Sequence, residues 1–159
     1  MKNILVVEDS DDVRENIVDL LLANDYNVEY AENGYDGYKK ALSILPDLII
    51  ADIMMPMMDG LEMLKLLREN ISTQNIPFVF LSAKSSINEI GPGMNTGAND
   101  YLTKPFHAKE MLRAVEVRLE KKERIDKKFE NTYKTISVSI AHELRTPLAS
   151  IIGFTNILI

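Results

Sequence analysis

Residues 48–64 read LIIADIMMPMMDGLEML, and this stretch is the strongest indication of fold class in the sequence. Its first four residues, Leu48–Ala51, are all apolar, which is the pattern of a strand buried on both faces. The run ends at Asp52, and the later segment Leu61–Asn70 has apolar residues at helical spacing. A buried strand that leads into a helix is the repeating unit of α/β proteins.

Strand-like and helix-like segments alternate on both sides of that stretch. The other candidate strands are Ile4–Val7, Asn27–Ala31, Phe78–Leu81 and Tyr101–Leu102, and the candidate helices between them include Asp11–Asn24 and Gly34–Leu45. Because strands that alternate with helices pair in parallel through right-handed crossovers, we predict a doubly wound α/β domain of about 120 residues. Helices are expected on both faces of its five-stranded parallel sheet.

Glycine and proline occur where the fourth helix of such a domain is expected. Residues 90–94 read IGPGM. Since Gly and Pro together cost several kcal/mol inside a helix, we expect this helix to be short, broken or mobile. Hydrogen exchange over residues 90–96 should then be faster than in the other helices.

Composition and charge exclude several classes of protein. The 159 residues include no cysteine, so disulfides, Cys-ligated zinc, iron–sulfur clusters and thiol nucleophiles are excluded. Residues 1–105 carry nine more acids than bases, which argues against a nucleic-acid-binding face. No run of about 18 apolar residues suggests a membrane span, and no signal peptide precedes the first strand. We therefore expect a soluble, cytoplasmic chain that binds neither nucleic acid nor membrane.

Polar residues follow the candidate strands at the points where the strands end. Glu8 and Asp9 follow the first strand, Asp52 the third, Ser82 the fourth and Lys104 the fifth. Because parallel strands bring their carboxyl ends to one edge of the sheet, these side chains are expected to converge in one crevice. Converging carboxylates repel one another, and a hard divalent cation such as Mg²⁺ would relieve that repulsion.

Such a crevice is suited to phosphoryl chemistry. A carboxylate beside Mg²⁺ can attack a phosphoryl group to form an acyl phosphate, and nearby cations and donors stabilise the transition state. Lys104 and Ser82 would provide an ammonium and a hydroxyl for this purpose. Taken singly, Asp9 or Asp52 would more often be a helix cap or a turn residue, and the interpretation depends on all four strand ends agreeing.

Four segments resemble the receiver domain of two-component response regulators. They are LVVEDS at 5–10, residues 48–64 quoted above, FLSAK at 80–84 and GANDYLTKPF at 97–106, and the resemblance covers roughly residues 2–121. It implies a flavodoxin-like fold in which Asp52 is the phosphoacceptor. It also implies that Glu8, Asp9, Asp52 and the main-chain carbonyl of Met54 bind Mg²⁺.

The same resemblance assigns roles to the residues on the last two strands. Ser82 would be the switch hydroxyl, Tyr101 the switch aromatic and Lys104 the phosphoryl-binding lysine. The bond between Lys104 and Pro105 would be cis, which is accessible for an X-Pro bond. A phosphoryl group on Asp52 would shift a surface built from the fourth helix, the fifth strand and the fifth helix.

A second apolar pattern begins after Pro105. Residues 106–146 contain neither Gly nor Pro, and we favour one continuous helix of roughly 60 Å over two helices broken near 122–126. Its apolar residues follow 3- and 4-residue steps as a heptad seam: Leu112, Val115, Leu119, Phe129, Tyr133, Ile136 and Ile140. Lys122 and Asp126 interrupt this seam. We expect a homodimeric coiled coil through the C-terminal helix.

The segment HELRTPL at 142–148 resembles the phosphoacceptor motif of the dimerisation and histidine-phosphotransfer domain of sensor histidine kinases. That resemblance implies His142 as phosphoacceptor, Glu143 as general base and Thr146 as a candidate for phosphatase chemistry. The second helix of that domain and an ATP-binding domain are not found in the sequence. Whether this chain is itself an enzyme is therefore left open.

The two resemblances together predict a hybrid two-component protein. We expect a receiver domain at 1–121, a helical coiled-coil linker at 122–135 and a truncated first helix of the kinase domain at 136–159. A cognate histidine kinase or phosphotransfer protein is the expected partner. The main alternative is a non-enzymatic receiver and coiled-coil interaction module in which His142 is incidental. A metal-dependent phosphatase is a weaker alternative, because Asp52-Ile53-Met54 lacks the second acid of a DxD motif.

Overall fold

A computed structural model of the chain describes residues 1–83 and 90–143, with only the backbone of Ile90, Thr96 and residues 137–143. The described chain contains five strands and five helices. In chain order they are β1 Asn3–Val7, α1 Asp11–Ala23, β2 Asn27–Ala31, α2 Gly34–Ile44, β3 Leu48–Asp52, α3 Gly60–Glu69, β4 Phe78–Ser82, α4 Ile90–Thr96, β5 Asp100–Thr103 and α5 Ala108–Glu143. The chain divides into two compact units, Met1–Glu120 and Lys121–Ile159.

The five strands form one parallel sheet in the order β2-β1-β3-β4-β5, which confirms the predicted doubly wound fold. The register aligns the strand ends. Val7 pairs with Ala51 and Asp52 pairs with Leu81, so the residues that follow β1 and β4 lie near the level of Asp52. Ser82 pairs with Thr103, which brings Lys104 to the same edge.

Two apolar clusters, one on each face of the sheet, explain why the central strands show no alternation. β1, β3 and β4 are buried on both faces apart from Asn3. Leu5 and Val7 pack with residues of α2 and α3, whereas Ile4 and Val6 pack with residues of α1 and α5. The edge strands β2 and β5 are more exposed, which is why their apolar pattern is weaker in the sequence.

Helix α4 is short, as expected, but its described backbone is helical through both glycines and the proline. The packing explains why residue 93 is a glycine, because a Cβ atom there would overlap the Phe80 ring. A Cβ atom at Gly91 would meet nothing within 4 Å. The glycine at 93 therefore lets α4 approach β4 closely, and faster hydrogen exchange over 90–96 stays a prediction.

Helix α5 is continuous from Ala108 to Glu143, so the alternative of two helices broken near 122–126 is wrong. The proposed seam needs correction in its first half. Val115 and Leu119 are buried in the same cluster as Met111, against the sheet of their own domain. Among the α5 side chains that the structure describes, Ile125, Phe129, Tyr133 and Ile136 are the exposed large apolar ones, because the sheet covers those before them. Within the described residues no helix is long and apolar enough to cross a membrane.

Candidate functional site

Three acidic residues and a lysine meet at the carboxyl edge of the sheet, as the strand ends predicted. The lysine Nζ atom of Lys104 lies 2.8 Å from Glu8 Oε1 and 2.8 Å from Asp52 Oδ2. Glu8 and Asp52 are buried and Asp9 is exposed. Carboxylate oxygens of Glu8, Asp9 and Asp52 lie within 4.8 Å of one another, and we call these three residues the acidic cluster.

The backbone fixes each of these side chains through strand pairing. The Glu8 N–H donates to Ala31 O at 3.1 Å, which extends the β1–β2 pairing by one residue. The Lys104 N–H donates to Ser82 O at 2.7 Å and extends the β4–β5 pairing in the same way. The Lys104–Pro105 bond is cis, which confirms the expectation from the receiver resemblance.

Burial and like charge make Glu8 an unusual carboxyl group. Burial, with a contribution from the neighbouring Asp52, raises the pKa of Glu8 to about 7, although Lys104 opposes that shift. Burial also disfavours the Lys104 ammonium, but its bonds to Asp52 and Glu8 outweigh this effect and raise its pKa. Lys104 therefore stays charged near neutral pH and compensates the buried carboxylates.

The donor set fits a hard divalent cation. Glu8 Oε2 is buried and has no hydrogen-bond partner among the described residues, so a strong acceptor in the cluster is left available. All the side-chain atoms of the acidic cluster that could bind a metal ion are carboxylate oxygens, the ligands that Mg²⁺ prefers. The residues present therefore fit Mg²⁺ or a related ion.

Asp52 is held by the loop that follows it. Its Oδ1 atom accepts a hydrogen bond from the Met54 N–H at 3.2 Å, and its Oδ2 atom accepts from Lys104. The Met54 side chain is 58% exposed. Because a methionine side chain carries only a thioether, which is a weak acceptor, Met54 offers no strongly polar group to a reactant at Asp52.

Ser82 and Tyr101 lie on the neighbouring strands but are not bonded to the acidic cluster. The buried Ser82 hydroxyl donates to the Ala83 carbonyl at 3.0 Å. The Tyr101 ring is 43% exposed. Ser82 ends β4 at the level of Thr103, whereas Tyr101 lies two residues earlier along β5, opposite Phe80.

Arg14 is a site residue that the sequence analysis missed. Its buried guanidinium donates from Nη1 to the Glu8 carbonyl at 2.9 Å and from Nη2 to Asp11 Oδ1. The sequence feature that could have indicated Arg14 is a basic residue in the first turn of α1, where the helix dipole disfavours positive charge. One such residue cannot be distinguished from a solvated arginine without knowledge of its burial.

The predicted histidine site lies mostly outside what can be described. The backbone of His142 and Glu143 belongs to α5, but their side chains fall outside the described residues. Thr146 lies entirely outside them. The roles of these three residues stay predictions.

The flavodoxin-like parallel sheet with a lysine and an acidic cluster at its carboxyl edge defines an α/β receiver domain. The chain belongs to the family described as the response regulator receiver domain, whose sequence model matches residues 4–116. This family acts in two-component signalling, and its members are generally phosphorylated on an aspartate and use Mg²⁺ at an acidic site.

Two curated proteins illustrate the contexts in which the domain occurs. The chain is 41% identical over 128 residues to Histidine kinase P4 of Formosa agariphila, covering 80% of this chain and 9% of that protein. It is 42% identical over 115 residues to the transcriptional regulatory protein DltR of Streptococcus agalactiae, covering 72% of this chain and 50% of that protein. This chain therefore spans half or less of these curated relatives.

A solved receiver domain is similar in three dimensions. The signal receiver domain of a signal transduction histidine kinase from Syntrophus aciditrophicus superposes with a TM-score of 0.70 at 30% identity. The match covers 76% of this chain and 91% of that chain. Receiver domains similar to this one thus occur in proteins named as histidine kinases and in a protein named as a transcriptional regulator.

Proposed function

We propose that this chain accepts a phosphoryl group on Asp52, with Mg²⁺ held by Glu8, Asp9, Asp52 and the Met54 carbonyl. The observation that supports this most directly is the position of Lys104 Nζ, 2.8 Å from both Glu8 and Asp52. A cation in that place can neutralise charge on the oxygens of a group being transferred to Asp52. The bound metal ion would supply further charge neutralisation on the same oxygens.

The transfer is a displacement at phosphorus. An Asp52 carboxylate oxygen attacks the phosphorus of a phosphohistidine, the new P–O bond forms and the P–N bond breaks. The leaving imidazole takes up a proton from solvent, and Asp52 becomes an acyl phosphate. Lys104 moves its bond from the Asp52 carboxylate to the phosphoryl oxygens.

The acyl phosphate would then change the surface beside β5. Ser82 exchanges its bond to the Ala83 carbonyl for one to the phosphoryl group. Its movement vacates space that the half-exposed Tyr101 ring can enter. The surface formed by α4, β5 and α5 is the two-state element that a partner would recognise.

The output would be carried by the last part of α5. Ile125, Phe129, Tyr133 and Ile136 are all more than 50% exposed, and we call these residues the exposed apolar stripe. A helix with such a stripe is suited to pair with the same helix of a second copy. His142 would then be a phosphoacceptor with Glu143 as its general base and Thr146 as a candidate for phosphatase chemistry, as in a hybrid histidine kinase.

The alternative is an interaction module in which His142 takes no part in chemistry. The exposed apolar stripe favours this alternative as well, since it would serve a coiled coil whether or not a phosphorylated histidine follows it. The two proposals differ only in the reactivity of His142.

Phosphorylation of Asp52 can be tested with a small-molecule donor. Acetyl phosphate with Mg²⁺ should add one phosphate to the chain, and Asp52→Asn or removal of Mg²⁺ should abolish the addition. Asp19→Asn is the matched control, because Asp19 is an exposed aspartate on α1. Uptake that persists in Asp52→Asn, or that does not require Mg²⁺, would contradict the proposal.

Reactivity of His142 can be tested against the second histidine of the chain, His107. In an Asp52→Asn background, phosphoramidate should give acid-labile, base-stable label that is lost in His142→Ala and kept in His107→Ala. Label that is insensitive to His142→Ala would favour the interaction module.

A further inference from the structure

Arg14 is bound to the backbone that joins two residues of the acidic cluster. The Glu8 carbonyl, which accepts from Arg14 Nη1 at 2.9 Å, belongs to the peptide that links Glu8 to Asp9. The Glu8 N–H is fixed separately by its bond to Ala31 O at 3.1 Å. The backbone of Glu8 is therefore held on both sides, and Arg14 provides the hold on the side that faces Asp9.

The second half of the guanidinium is fixed by acidic and aromatic neighbours. Nη2 donates to Asp11 and lies 3.6 Å from Glu32 Oε1, while the guanidinium carbon is 5.5 Å from the centre of the Tyr30 ring. The Arg14 side chain is only 7% exposed, whereas the Asp11 and Glu32 side chains are 76% and 68% exposed. The Arg14 guanidinium thus links the start of α1 to the Glu8 carbonyl and to Tyr30 and Glu32 near the end of β2.

Two features of this location oppose a positive charge, although the effect of burial on the pKa of Arg14 is outweighed by Asp11 and Glu32, which raise that pKa overall. Arg14 lies in the first turn of α1, where the helix dipole disfavours positive charge. It also lies next to a cluster that fits a divalent cation, which it would repel. Neither feature lets the Arg14 charge attract Mg²⁺, so its bond to the Glu8 carbonyl is the contact through which it can act on the acidic cluster.

We propose that Arg14 is a positioning residue that holds the Glu8–Asp9 peptide in the orientation required for Mg²⁺ binding. The inference depends on the proposed function, because it assigns a role toward the same metal ion. Mg²⁺ demands nearly ideal octahedral geometry, so a loop that is free to rotate loses affinity. Residues that orient metal ligands typically contribute 10- to 100-fold to metal affinity.

The sign of the effect separates positioning from simple electrostatics. If Arg14 acted only through its charge, removing it would reduce repulsion and tighten Mg²⁺ binding. If it acts by holding the peptide, removing it weakens Mg²⁺ binding even though a positive charge has been lost. Calorimetric titration of the unphosphorylated chain with Mg²⁺ at fixed ionic strength measures this directly.

The experiment compares Arg14→Met with Arg68→Met. Arg68 is also a partly buried guanidinium bound to backbone carbonyls, those of Thr73, Ile76 and Gly97, but it lies at the opposite end of α3 from the acidic cluster. We expect Arg14→Met to weaken Mg²⁺ binding about tenfold and Arg68→Met to leave it unchanged, in samples whose circular dichroism shows a folded chain. Arg14→Lys, which keeps the repelling charge but loses the fork, should weaken Mg²⁺ binding at least as much as Arg14→Met.

Each outcome decides the question. Unchanged or tighter binding in Arg14→Met overturns the inference, and so does equal weakening in Arg68→Met, which would reflect general destabilisation. If Arg14→Met does not fold, Asp11→Asn and Asp12→Asn provide the test, because both remove one charge and only Asp11 is bonded to Arg14. Asp11→Asn must then weaken binding more than Asp12→Asn. An unmodified chain that does not bind Mg²⁺ would instead contradict the proposed function itself.

Discussion

The first and the last described parts of α5 carry apolar residues at the same helical spacing but in opposite environments. Met111, Val115 and Leu119 are at most 7% exposed and lie in the core of the first unit. Phe129 and Tyr133 are 73% and 66% exposed in the second unit. Periodicity of apolar residues thus predicts that a helix face needs a cover, but it does not identify what covers it.

The difference also shows why the seam was predicted to begin too early. Steps of three and four residues run from Leu112 to Ile140, so the sequence alone suggests one continuous interface. A helix that closes an α/β domain uses the same steps to pack on its own sheet. The two uses can be separated only when the sheet is known to lie under the first part of the helix.

The largest expected effect comes from truncating one apolar residue in each part of α5. Met111→Ala should lower the free energy of unfolding by about 2–5 kcal/mol, since it leaves a cavity in a packed core. Phe129→Ala should change it by less than about 0.5 kcal/mol in dilute solution, because the ring is exposed. Urea unfolding at micromolar concentration measures both. A comparable loss in Phe129→Ala would mean that the stripe is covered within one chain.

Buried and exposed residues also differ when they are charged, and for a buried carboxyl group the difference makes the stability of the fold depend on pH. The pKa of Glu8 is about 7 in the folded chain and near 4.5 when unfolded, so folding increases its affinity for a proton. The stabilisation that the proton provides is complete below pH 4.5 and is lost as pH rises through 7, with an upper limit of about 3 kcal/mol.

Unfolding measured in urea between pH 5 and 8, without divalent ions, tests this dependence. Glu8→Gln should flatten the decline in stability with rising pH, whereas Glu123→Gln, on the exposed part of α5, should not alter it. Stability that declines equally in Glu8→Gln would show that another group causes the dependence. Saturating Mg²⁺ should also oppose the decline, because it favours the ionised cluster.

Helix α4 also contains one packed and one unpacked position, which are Gly93 and Gly91. Gly93→Ala should destabilise the chain by about 1–3 kcal/mol, because the new methyl group overlaps the Phe80 ring. Gly91→Ala should change it by less than about 1 kcal/mol, because the helix propensity gained with alanine is opposed by the clash of its Cβ with the following Pro92 ring, and nothing beyond the chain neighbours lies within 4 Å. Thermal unfolding of the two variants gives the comparison, and equal shifts in one direction would contradict the packing argument.

The parts that were predictable from sequence are those that follow from the geometry of parallel strands. Glu8, Asp52 and Lys104 are distant in sequence, yet the rule that strand ends share one edge was sufficient to bring them together. The role of Gly93 could not be predicted, because it depends on contact with a residue of β4. Arg14 was missed for a similar reason, since its burial results from tertiary contacts rather than from a local pattern.

The smallest effect on the single chain is expected at the junction between the two parts of α5. Lys122 and Asp126 form an ion pair on one helix, with 3.0 Å between Nζ and Oδ1. Because such an exposed pair contributes only about 0.3–0.5 kcal/mol, replacing both residues with leucine should barely alter unfolding in dilute solution. The same change would extend the exposed apolar stripe toward the first unit and should strengthen self-association of a dimerising helix.

Sedimentation equilibrium over a range of concentrations distinguishes these possibilities. Stronger association of the double variant, with unchanged unfolding of the dilute chain, fits a stripe that pairs with a second copy. A matched variant with leucine at Lys127, which lies away from the stripe and pairs with Glu123, should not associate more strongly. If both variants associate equally, added hydrophobicity alone is the cause, and the stripe has no specific partner in a second copy of the chain.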